Sequence, residues 1–372
     1  MENNEDMIEK LKNQLKGAYR KYKNHVYYDN YSAIQRFDLA NFEVENFKIK
    51  IVDGNENDVN NDFEQAFENY FSNLANELNN DWNNKIKDII DNINVISFPK
   101  NVENDDDKKN KIITNFKKSS SDVSKIHYFI DLPVEGHILG VLWILRLGYV
   151  LDDKLYKHCY GNRLNEYLLE NLKETDNSEE YDFSPFLFQP YYKKYQSWRD
   201  DGLDVADNLL KNKKNAIILS LDFKDYYYRS LIDFNDLFED IKDTQEKLNI
   251  QYDEIEEEFN NNLNNFIKEV FEIYSSKFNR KITNEALYPN ENLDNKKHNL
   301  EYKKLPMIPL GFLPSLIIAN WNLHGIDQII LEDVNPSYYG RYVDDILIVF
   351  GSHEKSKSNG IQHIEEINLN VF

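Results

Sequence analysis

The sequence predicts an α+β protein, on three observations. Apolar residues recur at helical spacing through residues 1–24, 63–93 and 236–278. Two short β-prone runs, residues 216–221 and 346–349, are bounded by polar residues, as core strands are. Each run meets carboxylates at one end: Asp222 follows the first, and Asp344-Asp345 precede the second.

Taken in order, residues 1–24 place Met7, Leu11, Leu15, Tyr19 and Tyr22 on one helical face. Residues 63–93 form a second helical region, with Phe67, Phe71, Leu74, Leu78, Trp82, Ile86 and Ile90 on one stripe; such a stripe reads as core rather than as a base-stacking surface. Residues 96–100 are a short strand or turn, and 101–125, rich in Asn, Asp, Lys and Ser, a linker or exposed loop. Residues 134–167 read as paired helices. Their apolar run at 137–151 is shorter than the ~20 residues a membrane-spanning helix needs, so it reads as a central buried helix. Residues 174–182 form an acidic loop. Residues 236–278 are two helices, or one helix with an insertion, too irregular in heptad for a coiled coil. Residues 289–304 are a loop.

With 372 residues the chain can build two or three subdomains. Mean hydropathy is low, −0.69, yet 25 Tyr, 22 Phe and 4 Trp are too many aromatics for a disordered chain. One cysteine, Cys159, excludes a disulfide framework and fits a reducing cytosol. The start, Met1-Glu-Asn-Asn-Glu-Asp, lacks the basic and apolar regions of a signal peptide. No zinc spacing, P-loop, dinucleotide fingerprint or internal repeat is present. The net charge of −21, from 44 basic and 65 acidic residues, weighs against a nucleic-acid enzyme, because phosphate binding wants a basic face. Basic clusters at 108–118, 193–194, 211–214 and 296–304 are either parts of one groove or solvated loops.

Chemistry concentrates in three segments. In Tyr342-Val343-Asp344-Asp345, two adjacent acids interrupt an apolar strand, and burying charge is costly unless it is paired or metal-bound. The alternative is a polar hairpin tip. Asp222 closes the run at 216–221, where it is either a helix N-cap or a partner to that pair. Acids so arranged can hold two divalent cations about 3.5–4 Å apart, which suits in-line phosphoryl displacement. Between them, residues 305–323 combine a Pro/Gly turn with a helix whose first turn holds Pro314. Gly311 there permits close approach of a ligand to the backbone, or simply makes the turn. Upstream, Arg163 is a candidate grip for a triphosphate or one half of a surface ion pair, and Lys100 is a weaker candidate of the same kind.

In this order the three segments resemble the palm of reverse transcriptases. Asp222 followed five positions later by Tyr227 is similar to the first palm motif. Pro309, Gly311, Ser315, Ala319 and Asn320 keep the spacing of the second, with Leu310 where the family has Gln; Tyr342–Asp345 match the third. Tyr160-Gly161-Asn162-Arg163 is similar to a fingers motif of bacterial members, and the segments at 187–199 and 338–341 are similar to those of abortive-infection and defence-associated members, among them the second subunit of two-polymerase defence systems. The resemblance implies a right-hand palm over 201–372, truncated before primer grip and thumb, and a mostly helical fingers region over 1–200. It implies RNA-directed DNA synthesis with two Mg²⁺ ions, Mn²⁺ being a substitute. Asp222, Asp344 and Asp345 would be catalytic, and Phe223 would join them at the metals through its backbone. Asp225 and Phe223 would border the triphosphate, Tyr227 would gate the sugar, Gly311 and Ser315 would line the nucleotide floor, and Arg163 and Lys100 would hold phosphates. Implied partners are an RNA template or non-coding RNA, dNTPs, a DNA product and a protein supplying missing C-terminal elements, in the cytoplasm and away from membranes. The chain ends 27 residues after Asp345, so either it is a fragment or a partner completes it. A non-catalytic palm scaffold and a nucleotide cyclase are the rival expectations.

Overall fold

Helical spacing at the N-terminus yields a helical layer. The computed structural model describes residues 2–28, 33–47, 56–103, 122–174, 184–282 and 305–352; the basic clusters at 108–118 and 296–304, most of the acidic loop and the loop at 289–304 lie outside them. Four helices come first: α1 (Glu2–Tyr28), α2 (Ala33–Phe47), α3 (Glu56–Asn80) and α4 (Trp82–Asp91). Leu15 and Val26 of α1, Leu39 and Phe47 of α2 and Phe71 of α3 are fully buried, so the aromatic stripe is core. Each such side chain contributes roughly 1.5–3 kcal/mol by leaving water.

β1 (Asn94–Glu103) and β2 (Asp122–Asp131) pair antiparallel with Asn94 opposite Asp131. The expected loop at 101–125 therefore lends both its ends to strands. Next come α5 (Val134–Trp143), one π-turn (Ile144–Gly148) and α6 (Tyr149–Asp153) in a single run. It is the one described helix long and apolar enough to cross a membrane, and 94% of its apolar window is buried inside the protein. It is the central core helix.

The second of the paired helices expected within 134–167 is absent: the chain stays non-helical from Lys154 until α7 (Glu166–Glu174). Tertiary pairing overrides local propensity here, because Tyr160 N–H donates to the Arg341 carbonyl (2.8 Å) and Arg341 N–H to the His158 carbonyl (2.9 Å). α8 (Tyr191–Lys211) follows, and the expected subdomain boundary at residue 200 falls inside it.

β3 (Asn215–Asp222) leads to a short α9 (Tyr226–Arg229), then α10 (Phe234–Lys247) and α11 (Glu254–Lys281). The stretch at 236–278 is thus two helices. They part where Asn249 takes a positive φ of 56°, and the Asp253 carboxylate caps the second by accepting from Glu256 N–H. α12 (Leu313–Asn322), with Pro314 in its first turn, and α13 (His324–Ile329) precede β4 (Tyr338–Tyr342) and β5 (Asp345–Ser352).

The second sheet is antiparallel, in the order β3-β5-β4. Both faces of β5 are buried, whereas the edge strand β3 is at most half-buried, with Ile218 46% exposed, so the core strand expected at 216–221 is an edge strand. Leu347 and Val349 pack with Trp198 and Ala206 of α8, while Ile346 and Ile348 pack with Ile330 beyond α13. The protein is α+β, with two small antiparallel sheets among many helices.

Candidate active site

The register of the second sheet brings the acidic segments together. Asp222, last in β3, is the Cα partner of Asp345, first in β5, and Asp345 is in turn opposite Tyr342 of β4. Directly paired residues share a face, so both carboxylates project from the face that α8 covers. Asp344 occupies the two-residue turn between β4 and β5, and its carbonyl accepts from Phe223 N–H at 3.3 Å. Carboxylates from two segments remote in sequence, Asp222 and Asp344-Asp345, therefore lie at one end of one sheet.

Their electrostatics follow from that crowding. Asp344 is pushed up to about 6, first by burial and then by repulsion from Asp345 and Asp222; Lys100 pulls it down. Asp345 is also raised, by burial and by Asp222. The Tyr227 hydroxyl is held far above its ordinary range by burial first and by Asp344 next, with a hydrogen bond from Asn162 opposing. Tyr342 is raised to about 12 by burial, then by Tyr191, Tyr195 and Asp345. Lys100 and Tyr227 thus feel the charge of Asp344, Tyr342 that of Asp345, and Asn162 acts on Tyr227.

The turn itself is strained. Val343 is β-branched and buried, yet has a φ of +58°, a region such residues rarely enter. Its neighbours hold it there. Arg341 is fully buried and pairs with Asp327 through two contacts of 2.7 Å, while its Nη1 donates to the Val343 carbonyl (2.9 Å) and to Asn320 Oδ1 (3.1 Å). A charged pair so deeply buried survives only because its hydrogen bonds are satisfied. Gly161 lies against the same turn; a Cβ there would come 2.8 Å from Val343 N, so only glycine fits.

Asn320 joins the second motif to the segment at 160–163 and to the lead-in of the third. Its Nδ2 donates to the Gly161 carbonyl (2.7 Å), its Oδ1 accepts from Arg341, and its backbone carbonyl accepts from Arg341 Nη2 (3.2 Å). One residue earlier, the Ala319 carbonyl accepts from the Tyr226 hydroxyl of α9 (2.7 Å), which ties the first motif to the second.

Other expected residues sit differently. Arg163 does not project into the acid cluster as a phosphate grip: its Nε donates to Asp152 (3.1 Å), and its terminal nitrogens donate to the Cys159 and Asp152 carbonyls (both 3.0 Å). It anchors the loop at 154–165. Ser315 is 1% exposed in α12, its hydroxyl without a partner among the described residues, so it faces the core rather than an open nucleotide floor. Packing of α12 on α5 and α6 turns it inward. Gly311 has a φ of +89°, and its carbonyl accepts from Gln35 of α2 (2.7 Å); the glycine makes the turn into α12. Asp225, with a φ of +54°, starts α9 and accepts backbone N–H groups from Tyr228 and Arg229 (3.0 and 3.1 Å).

The donor set fits hard divalent cations. Carboxylate oxygens are what Mg²⁺ prefers, completed by water and substrate phosphate. Among the described residues no three His, Cys, Asp or Glu side chains close around one point, so substrate and water would have to supply the rest of a coordination shell. Sequence reasoning overlooked Asn162 and Arg341. Asn162 adjoins the residue chosen for phosphate binding, and the Arg341 signal was an unpaired cation inside an apolar strand.

In comparisons with known proteins, no family model matches the chain, and no curated protein matches it.

Proposed function

We propose that the protein is an RNA-directed DNA polymerase whose second sheet is a right-hand palm and whose N-terminal helices and first sheet form the fingers. One observation carries the reading: Asp222 and Asp345 are cross-strand partners beside the Asp344 turn, an acidic end of an antiparallel sheet on which the Lys100 charge acts. Two divalent cations, when bound, would activate a 3′-hydroxyl and neutralise charge on the leaving pyrophosphate. Asp222, Asp344 and Asp345 would hold them, with the Phe223 backbone adjacent. Tyr227 would contact the sugar, and Lys100 would meet the triphosphate as a cationic clamp. Arg163 is left out of that clamp. The partners of this reading are an RNA template, dNTPs and a DNA product, with a protein partner supplying C-terminal elements, in an antiviral cytoplasmic role.

The net charge of −21 favours one rival, a scaffold that keeps the palm without polymerising. Offering labelled dNTPs and, separately, labelled NTPs with an RNA template–primer and Mg²⁺ separates the readings. Template-dependent extension by dNTPs is expected. A cyclic product from NTPs would assign the site to a cyclase, and a folded chain that turns over neither would select the scaffold.

A further inference from the structure

We infer that the N-terminal end of α8 is a stacking platform for single-stranded nucleic acid leading to the carboxylates. Tyr191, Tyr192 and Tyr195 are 70%, 55% and 44% exposed, an unusual grouping of large rings in one helical turn. They continue directly from the site. Tyr195 lies 5.3 Å edge-on from Tyr342, Tyr191 lies 6.1 Å from Tyr192, and Tyr342 donates to the Tyr191 carbonyl (3.4 Å). Tyr342 is the cross-strand partner of Asp345, so the row of rings begins beside the acids.

Charge decides the occupant. Lys193, exposed, and Lys194, half-buried, interleave with the rings, and Lys194 lies 3.5 Å from Glu166. Two lysines on a chain of net charge −21 cannot grip duplex backbone by phosphate neutralisation alone. Ring faces attract unpaired bases of any sequence without needing charge, and a duplex hides those bases. The platform therefore selects a single strand, and its binding responds weakly to salt. A strand lying on it would run to or from Asp345; only that last step rests on the polymerase reading.

The test is fluorescence anisotropy with labelled oligouridine and oligothymidine of about 20 nucleotides, and a duplex of equal length, on the full chain. Single strands should bind at least about tenfold tighter than duplex, with a log–log salt slope of about −1.4, as two phosphate contacts give. Replacing Tyr191, Tyr192 and Tyr195 together by Leu should weaken single-strand binding at least about tenfold, whereas the triple Phe replacement should hold it within about threefold. Tyr195 also packs on Trp198, so the pair Tyr191→Leu and Tyr192→Leu, both on outward rings, repeats the test without touching the core. Asp344→Asn should bind like wild type while losing incorporation, which separates platform from catalysis. Wild-type-like binding by the Leu pair, or no saturable single-strand binding by wild type, would overturn the platform whatever the chain polymerises.

Discussion

Replacing Asn320 by Ala probes the junction on which the acidic turn depends. The side chain is fully buried and serves three partners, the Gly161 carbonyl at 2.7 Å, the Arg341 guanidinium at 3.1 Å and, more weakly, the Cys159 thiol at 3.6 Å. Alanine leaves the carbonyl unpaired, which costs about 1–3 kcal/mol, and removes a hydrogen bond to a charged group worth about 1.5–3 kcal/mol. Both belong to one network and do not add fully, so the expected loss is about 3–4 kcal/mol. Urea denaturation read as a midpoint shift at constant slope measures it. Asn322→Ala is the control: it lies in the same helix and is half-buried, with one hydrogen bond of 3.3 Å to Tyr226, and should cost under about 1 kcal/mol. Incorporation by Asn320→Ala should fall even under conditions where the variant is folded, because Val343 then loses the support of its positive φ. A shift for Asn320→Ala no larger than that for Asn322→Ala would refute the junction.

Asp344→Asn should stabilise the metal-free protein. The folded-state pKa is raised from 3.8 to about 6, so the penalty is absent below pH 4 and fully present above about 6. Discounted for partial exposure, the gain above pH 6 is on the order of 1–2 kcal/mol, and the fall in wild-type stability between pH 4 and 6 should flatten in the variant. Gly161→Ala should displace the turn, costing about 1–3 kcal/mol and most incorporation, because its Cβ meets Val343 N at 2.8 Å. Gly325→Ala, whose Cβ meets nothing within 4 Å on α13, should be neutral or add up to about 1 kcal/mol in the same denaturation assay. Arg163→Ala should destabilise by about 3–5 kcal/mol, since it strands the buried Asp152 carboxylate, whereas a solvent-facing grip would cost under about 1.

Much of the fold was legible because period and length agreed. The stripes of α1, α3 and α11 bury most of the face their spacing marks, and the run at 216–221 is a strand, though an edge strand that is only half-buried. The loop at 154–165 was misread as helix because its conformation is set by pairing with Arg341, a residue far along the chain, and by Asn162 with its φ of +51°. At the site, acids at strand ends were readable, since apolar flanks leave few other uses for them. Their cross-strand register was not, as it depends on how β3 and β5 align. Arg163 and Ser315 show the converse limit. Motif position marks a neighbourhood, but which neighbour reaches Tyr227 is decided by packing: Asn162 meets it, while Arg163 turns to Asp152. Arg341 was passed over because a buried cation reveals its worth only once Asp327 and Asn320 are seen around it.

The most direct measurement is deoxynucleotide incorporation on one RNA template–primer, titrated with Mg²⁺, for wild type, Asp222→Asn and Asp344→Asn. Mg²⁺-dependent incorporation by wild type, lost in both variants while their folds persist, is the expected result. Incorporation by either variant at the wild-type rate would contradict a metal-binding role for the paired strand ends.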